Sequence, residues 1–161
     1  MNIVSEFWGA NSYNHPPLTD EMIRTAETTL GVELPKEYIE LLRIQNGGYT
    51  MGFGYPCEGA AWAPDHVPLD DLAGIVLDLT HETAMNLMES PDLSQEWGLP
   101  PDQLLLTGDG HWWITLDYRG GGEPCITWID TEAKEGIEEV FLAPNFRTFL
   151  EGLRPTDSFE D

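Results

Sequence analysis

The sequence predicts a single α+β domain in which helices pack on a mostly antiparallel, twisted sheet. Three observations carry that expectation. Apolar side chains recur at helical spacing over residues 19–45 and again over 145–153. Strand-type alternation with paired turn signals dominates residues 103–130. The chain has 161 residues, 41% of them hydrophobic, which suits one core and is short for two full domains. The domain is therefore expected to occupy residues 1–161, with a core at about 19–153, an irregular lead-in at 1–18 and an acidic tail at 154–161.

The elements follow in chain order. Asn14-His15-Pro16-Pro17 blocks a helix and marks the lead-in. Thr19 is a good N-cap, with Asp20 and Glu21 in the first turn, Leu18 and Ile23 as a hydrophobic staple, and Gly31 as the stop. Ile23, Ala26 and Leu30 share the buried face of this first helix. Pro35 fits the first position of a second helix, whose buried stripe is Tyr38, Leu41 and Leu42. Asn46-Gly47-Gly48 then ends it and reverses the chain.

Residues 49–100 are less periodic, punctuated by Pro64, Pro68, Pro91 and Pro100. A short strand is expected at residues 52–55 and a second within 67–76, centred on Ala73-Gly74-Ile75-Val76. Residues 80–89 read as a short helix with Ala84, Leu87 and Met88 inward. The apolar run at 103–107, the turn Gly108-Asp109-Gly110-His111, the alternating segment 112–118, the loop 119–124 and the β-rich run 125–130 form an antiparallel meander. Val140-Phe141-Leu142 adds a further short strand. Asn145 caps a last helix with Phe146, Phe149, Leu150 and Leu153 on its apolar face, and the acidic tail from Pro155 to Asp161 is expected to fray.

Charge limits the function. There are 29 Asp and Glu against 7 Lys and Arg, a formal net charge of −22. Phosphate and anionic lipid need clustered cations, so nucleic-acid and membrane-surface binding are excluded, and a cationic protein partner is favoured. Cys57 and Cys125 form neither a disulfide framework nor a zinc motif and are read as free thiols. The first residues lack the pattern of a signal peptide, and no apolar run approaches a membrane span, so the expected location is cytoplasmic.

A catalytic constellation is not evident. His15, His66, His81 and His111 stand outside any H-E-x-x-H motif, and no C-x-x-C or G-x-S-x-G is present. Asp78, His66 and His81 are the remaining metal-ligand candidates, and Asp70-Asp71 the remaining carboxylate pair. No cofactor is expected, and the chain is read as a binding protein, not an enzyme. Exposed aromatics rimmed by carboxylates suit a basic partner. On the 112–118 segment Trp112 and Trp113 face opposite ways, so one can lie in the core and the other on an open face. The candidate partner-binding residues are Trp62 beside Asp65, Trp113 beside Asp117, and Asp70, Asp71 and Asp109. That both tryptophans are simply buried remains the alternative.

Three stretches, in order and at matching spacing, resemble the SUKH superfamily, which holds the yeast Smi/Knr cell-wall assembly regulators and many bacterial immunity proteins. The first contains Leu34, Pro35 and Tyr38 and runs to Asn46, Gly47 and Gly48. The second contains Gly108, Gly110, Leu116 and Tyr118, and the third Phe146 and Phe149. The resemblance covers about residues 19–153, while residues 56–100 match no pattern of that superfamily. It implies helices on a mostly antiparallel sheet and function by protein binding. Bacterial members commonly neutralise a cognate toxin, often a nuclease, and a basic toxin would suit this acidic chain. The long extensions of the yeast regulators are not seen in this sequence, which favours the bacterial role over a regulatory scaffold with a non-toxin partner. A carboxylate- or His-based hydrolase is the third reading.

Overall fold

The computed structural model describes residues 6–9, 14–60, 62–78, 86–133 and 136–159. Helix α1 (Asp20–Leu30) starts where its cap dictates: Met22 N–H donates to Thr19 Oγ1 at 3.2 Å, satisfying one of the free amides of the first turn. Ala26 is buried, and Ile23 and Leu30 pack half-buried against the core. Helix α2 (Lys36–Ile44) buries Tyr38, Ile39, Leu41 and Leu42, with Pro35 one position earlier than expected, just outside the helix. Arg43 and Asp20, 2.6 Å apart, tie the two helices at their exposed edge, and Arg43 holds the Asp20 carboxyl below its ordinary range.

Strands β1 (Gly48–Pro56) and β2 (His66–Leu72) form an antiparallel hairpin. Strands β3 (Gln103–Gly108), β4 (Trp112–Asp117), β5 (Cys125–Ala133) and β6 (Gly136–Ala143) form the expected antiparallel meander, in that order. The fourth strand is longer than the three residues anticipated for it. Helix α4 (Phe146–Gly152) is capped as expected, Thr148 N–H donating to Asn145 Oδ1 at 2.8 Å. The chain then returns as β7 (Arg154–Pro155) beside Phe53 and Gly54, giving a three-stranded sheet of order β2-β1-β7.

The described residues thus form two antiparallel sheets where the sequence predicts one. They share a single core. Tyr38, Leu41 and Leu42 of α2 and Phe146 and Phe149 of α4 pack over Leu69, Leu72, Leu106, Ile114, Leu116 and Trp128, all of them buried. Tyr55 stacks on Phe149 at 4.9 Å and Tyr38 meets Phe146 edge-on at 5.6 Å. The sheets touch where Ala73 N–H donates to Leu106 O at 2.8 Å.

The middle of the chain departs from expectation twice. The strand expected within 67–76 forms as β2 but ends at Leu72, short of its expected centre at Ala73–Val76, and the buried backbone beyond it is satisfied largely by side chains. Tyr38 OH donates to Ala73 O at 2.6 Å. Asn46 clasps Ile75 at both ends, accepting from its N–H and donating to its carbonyl, each at 2.8 Å. Asn86 does the same for Val76, at 3.0 and 2.8 Å. Burial pushes the Tyr38 phenol far above its ordinary pKa, so it stays a neutral donor. The second departure is a helix that was not expected, beyond the one read at 80–89. Residues 80–85 lie outside those described, a 3₁₀ turn occupies Leu87–Glu89, and helix α3 (Ser90–Trp97) follows. Pro91, read as a breaker, sits in the first turn of α3, where its missing N–H costs nothing.

Asn46 also donates to Pro16 O at 2.7 Å, and His15 Nδ1 lies 2.8 Å from the Asn46 carbonyl. The backbones cross closely here. A Cβ on Gly74 would lie 2.3 Å from Asn46 O, and one on Gly47 2.6 Å from Gly74 N. Substituting Asn46→Leu strands the Ile75 N–H and carbonyl in the core, so chemical denaturation should show a loss of about 3 kcal/mol. Gly74→Ala should cost at least about 2 kcal/mol through overpacking. Gly120→Ala, where a Cβ meets open space, should stay within about 0.5 kcal/mol of the parent.

Candidate functional site

The loop between β1 and β2 is closed by Cys57 N–H donating to Asp65 O at 3.1 Å. It holds Trp62 on the surface, 45% exposed. Behind Trp62 the rings are ordered. Trp62 meets His66 edge-on at 5.1 Å, His66 stacks on Phe159 at 4.1 Å and 11°, and the Arg154 guanidinium lies 5.0 Å over Phe159. This ladder lies across β1 at Gly54, where a Cβ would stand 2.7 Å from the Phe159 ring and 2.8 Å from His66. Glycine is required there by the closeness of the rings. The ladder also anchors the short 3₁₀ turn Thr156–Phe159, so residues 156–159 of the tail expected to fray are ordered.

Carboxylates flank the ladder. Asp65 accepts from His66 Nδ1 at 2.8 Å while its side chain stays largely exposed. Asp70, exposed on β2, has its pKa pushed up by partial burial and by the neighbouring Asp71, with His66 opposing. Asp71 is half-buried and accepts a short hydrogen bond from Thr107 Oγ1, which links β2 to β3. The structure therefore gathers Trp62, Asp65, Asp70 and Asp71 on one strand and its leading loop. It adds His66, Phe159 and Arg154, none of which was singled out as a partner-binding residue.

The remaining candidates lie elsewhere. Asp109 caps the β3–β4 turn, accepting from the amides of His111 and Trp112 at 3.1 and 3.3 Å, with His111 Nδ1 also at 3.1 Å. Trp113 and Asp117 are not a surface pair. Trp113 is 4% exposed, its ring lying against Gly108, and Asp117 is 6% exposed. The alternation along β4 is as expected, and Trp112 stacks on Trp128 at 4.8 Å. The opposite face is not open: Leu105, Trp113 and Ile129 are buried outside the main core. Asp117 sits there in a polar network, accepting from Gln103 Nε2 at 2.9 Å, Thr127 Oγ1 at 3.1 Å and Arg119 Nη2 at 2.7 Å. Arg119 continues to Glu139. Burial alone would raise the Asp117 pKa, but the hydrogen bonds from Arg119 and Gln103 outweigh it and hold the carboxyl below its ordinary range.

Among the described residues no three His, Cys, Asp or Glu side chains are arranged to hold a metal ion. Of the trio Asp78, His66 and His81, the last lies outside the described residues. The ion pairs of His66 and His111 are local, with Asp65 and Asp109. Burial and the charge of Asp65 push the Cys57 thiol up, which disfavours the nucleophilic thiolate.

A model of the SMI1/KNR4 family (SUKH-1) matches residues 17–152. No curated protein and no solved structure matches the chain.

Asp70 and Asp117 give opposite pH signatures. Asp70 has a folded pKa above its unfolded one, so its ionised form opposes folding at neutral pH. Asp70→Asn should raise stability at pH 7, by no more than about 0.5 kcal/mol given its exposure. The gain should vanish as pH falls through the folded pKa of Asp70. Asp117 has a depressed folded pKa, so its contribution is full above its unfolded pKa and is lost as pH falls through the folded value. Asp117→Asn should cost about 2 kcal/mol at pH 7, a deficit that closes in acid. Urea titrations between pH 2 and 7 measure both.

Proposed function

Because the chain belongs to the SMI1/KNR4 family (SUKH-1), we propose that it is a non-enzymatic bacterial immunity protein that binds a cognate basic toxin and covers its active or substrate-binding surface. The observation that supports this reading is the exposed Trp62, backed by the His66–Phe159 stack and flanked by Asp65 and Asp70. A tryptophan held by rigid neighbours loses little rotamer freedom on binding and fills a partner's pocket. The carboxylates beside it pair with Lys or Arg, and the net charge of −22 steers a cationic partner from a distance. A nuclease presents such a partner, because its cleft must be basic to hold nucleic acid. The proposed place of action is the cytoplasm, and no helix among the described residues is long and apolar enough to cross a membrane.

Co-expression with the product of the adjacent gene tests the proposal, scoring growth rescue and complex formation. The chain should rescue growth. Trp62→Ala should weaken the complex by about 30-fold or more, the effect of losing a central aromatic anchor of about 2 kcal/mol. Asp65→Lys and Asp70→Lys should slow association about tenfold at low salt and far less at high salt. A non-toxic adjacent product that still binds would favour the regulatory-scaffold reading. Rescue that survives all three substitutions and ignores salt would remove the Trp62 surface from the account.

A further inference from the structure

Away from the Trp62 ladder, two cavities share a wall. The first, of about 340 Å³, opens between the end of α1, α3 and the start of β3, and is lined by Leu30, Val32, Leu99, Pro100 and Leu104. The second, of about 600 Å³, opens between the α1–α2 loop and the β4–β5 loop. Its rim carries Glu33, Glu37, Asp102 and Glu123 against Lys36. Val32, Asp102 and Tyr118 line both, so the two form one groove with an apolar end and an acidic end.

Two features define what fits. Aliphatic and proline side chains at the first end favour an apolar group of aliphatic size. Four carboxylates facing one ammonium at the second end favour cations, and the local field is negative: burial, then the charges of Glu27 and Glu33, push the Tyr118 phenol up. Tyr118 is a wall and not a ligand group, because its hydroxyl already donates to Glu33 O at 2.8 Å.

We propose that this groove binds an extended basic segment of a protein, seating one aliphatic side chain against Leu30, Val32 and Leu104 and placing flanking Arg or Lys side chains on the Glu33–Glu123 rim. The groove shares no residue with the Trp62 surface, and the inference does not rest on the toxin reading. Recognition combines charge complementarity at the rim with a small apolar anchor, the usual division of an interface into rim and core.

The test uses the full chain, labelled with nitrogen-15, and a capped heptapeptide carrying one leucine with two arginines on each side among glycines. Saturable amide shifts should appear at Val32, Ser94, Leu99 and Gly121. Replacing the leucine by glycine, or the arginines by glutamates, should weaken binding at least tenfold. The double variant Glu33→Lys, Glu123→Lys should do the same. Both substitutions alter exposed side chains, and the Glu33 carbonyl that receives Tyr118 OH is backbone, so the amide spectrum should otherwise be unchanged. Absence of saturable shifts, equal binding of the glycine-substituted peptide, or shifts centred on Trp62 and His66 would overturn the groove assignment. None of these outcomes bears on rescue through the Trp62 surface, which is read at other residues and with another partner.

Discussion

The backbone crossing between Asn46-Gly47 and Gly74 is the constraint on which the rest of the structure depends. The two chains approach so closely that neither Gly47 nor Gly74 has room for a Cβ. Asn46 then grips Ile75 with both ends of its side-chain amide, Oδ1 accepting and Nδ2 donating, and Nδ2 reaches Pro16 as well. One side chain therefore joins the lead-in, the end of α2 and the segment leaving β2. Tyr38 and Asn86 complete the clasp on Ala73 and Val76. In a buried, low-dielectric setting each of these bonds is strong, and each would be expensive to leave unmade. The segment does not extend β2 as a regular strand: side chains take most of its polar groups, and Ala73 N–H and Gly74 O pair with Leu106 O and Leu87 N–H. That helps to explain why there are two sheets rather than one.

The position of the candidate surface follows from this crossing. Leu72, the last residue of β2, pairs with Gly48, directly after the crossing, and the hairpin opens away from it toward His66 and Trp62. Thr107 holds Asp71 from the second sheet, and Phe159 covers Gly54 and His66 from the chain terminus. Trp62 is thereby presented on a loop whose base is closed by the Cys57–Asp65 backbone hydrogen bond. The carboxylates divide by environment. Asp117 is buried but ringed with donors and serves the fold. Asp70 is exposed, and its ionisation opposes folding, since partial burial and Asp71 together outweigh the pull of His66.

Much of the fold was legible because its determinants are local. Thr19 and Asn145 cap their helices within three residues, and the stripes Tyr38-Leu41-Leu42 and Phe146-Phe149-Leu150 follow helical spacing. The meander could be read from alternation and from the Asp109-Gly110 turn. The Asn46-Gly47-Gly48 run reads in the sequence as a helix stop, but its further role as a clasp only the structure supplies, since its partners at Gly74 and Ile75 lie about thirty residues on. The same distance hid the clasp on residues 73–76. Helix α3 was missed because Pro91 serves equally to break a helix and to begin one. The error at Trp113 has a different origin: alternation shows that a strand has two faces, but not that both are covered. At the site, Trp62, Asp65 and Asp70 could be picked from local composition. The His66–Phe159–Arg154 ladder could not, because it joins segments some ninety residues apart.

Native-state hydrogen exchange at the Ile75 amide tests the central claim most directly. If the Asn46 clasp is what the rest of the structure depends on, this amide opens only when the whole molecule unfolds. Its exchange free energy should then equal the global unfolding free energy and fall with denaturant at the global slope. An Ile75 amide that exchanges through a small local opening, well below the global value and insensitive to denaturant, would contradict the account.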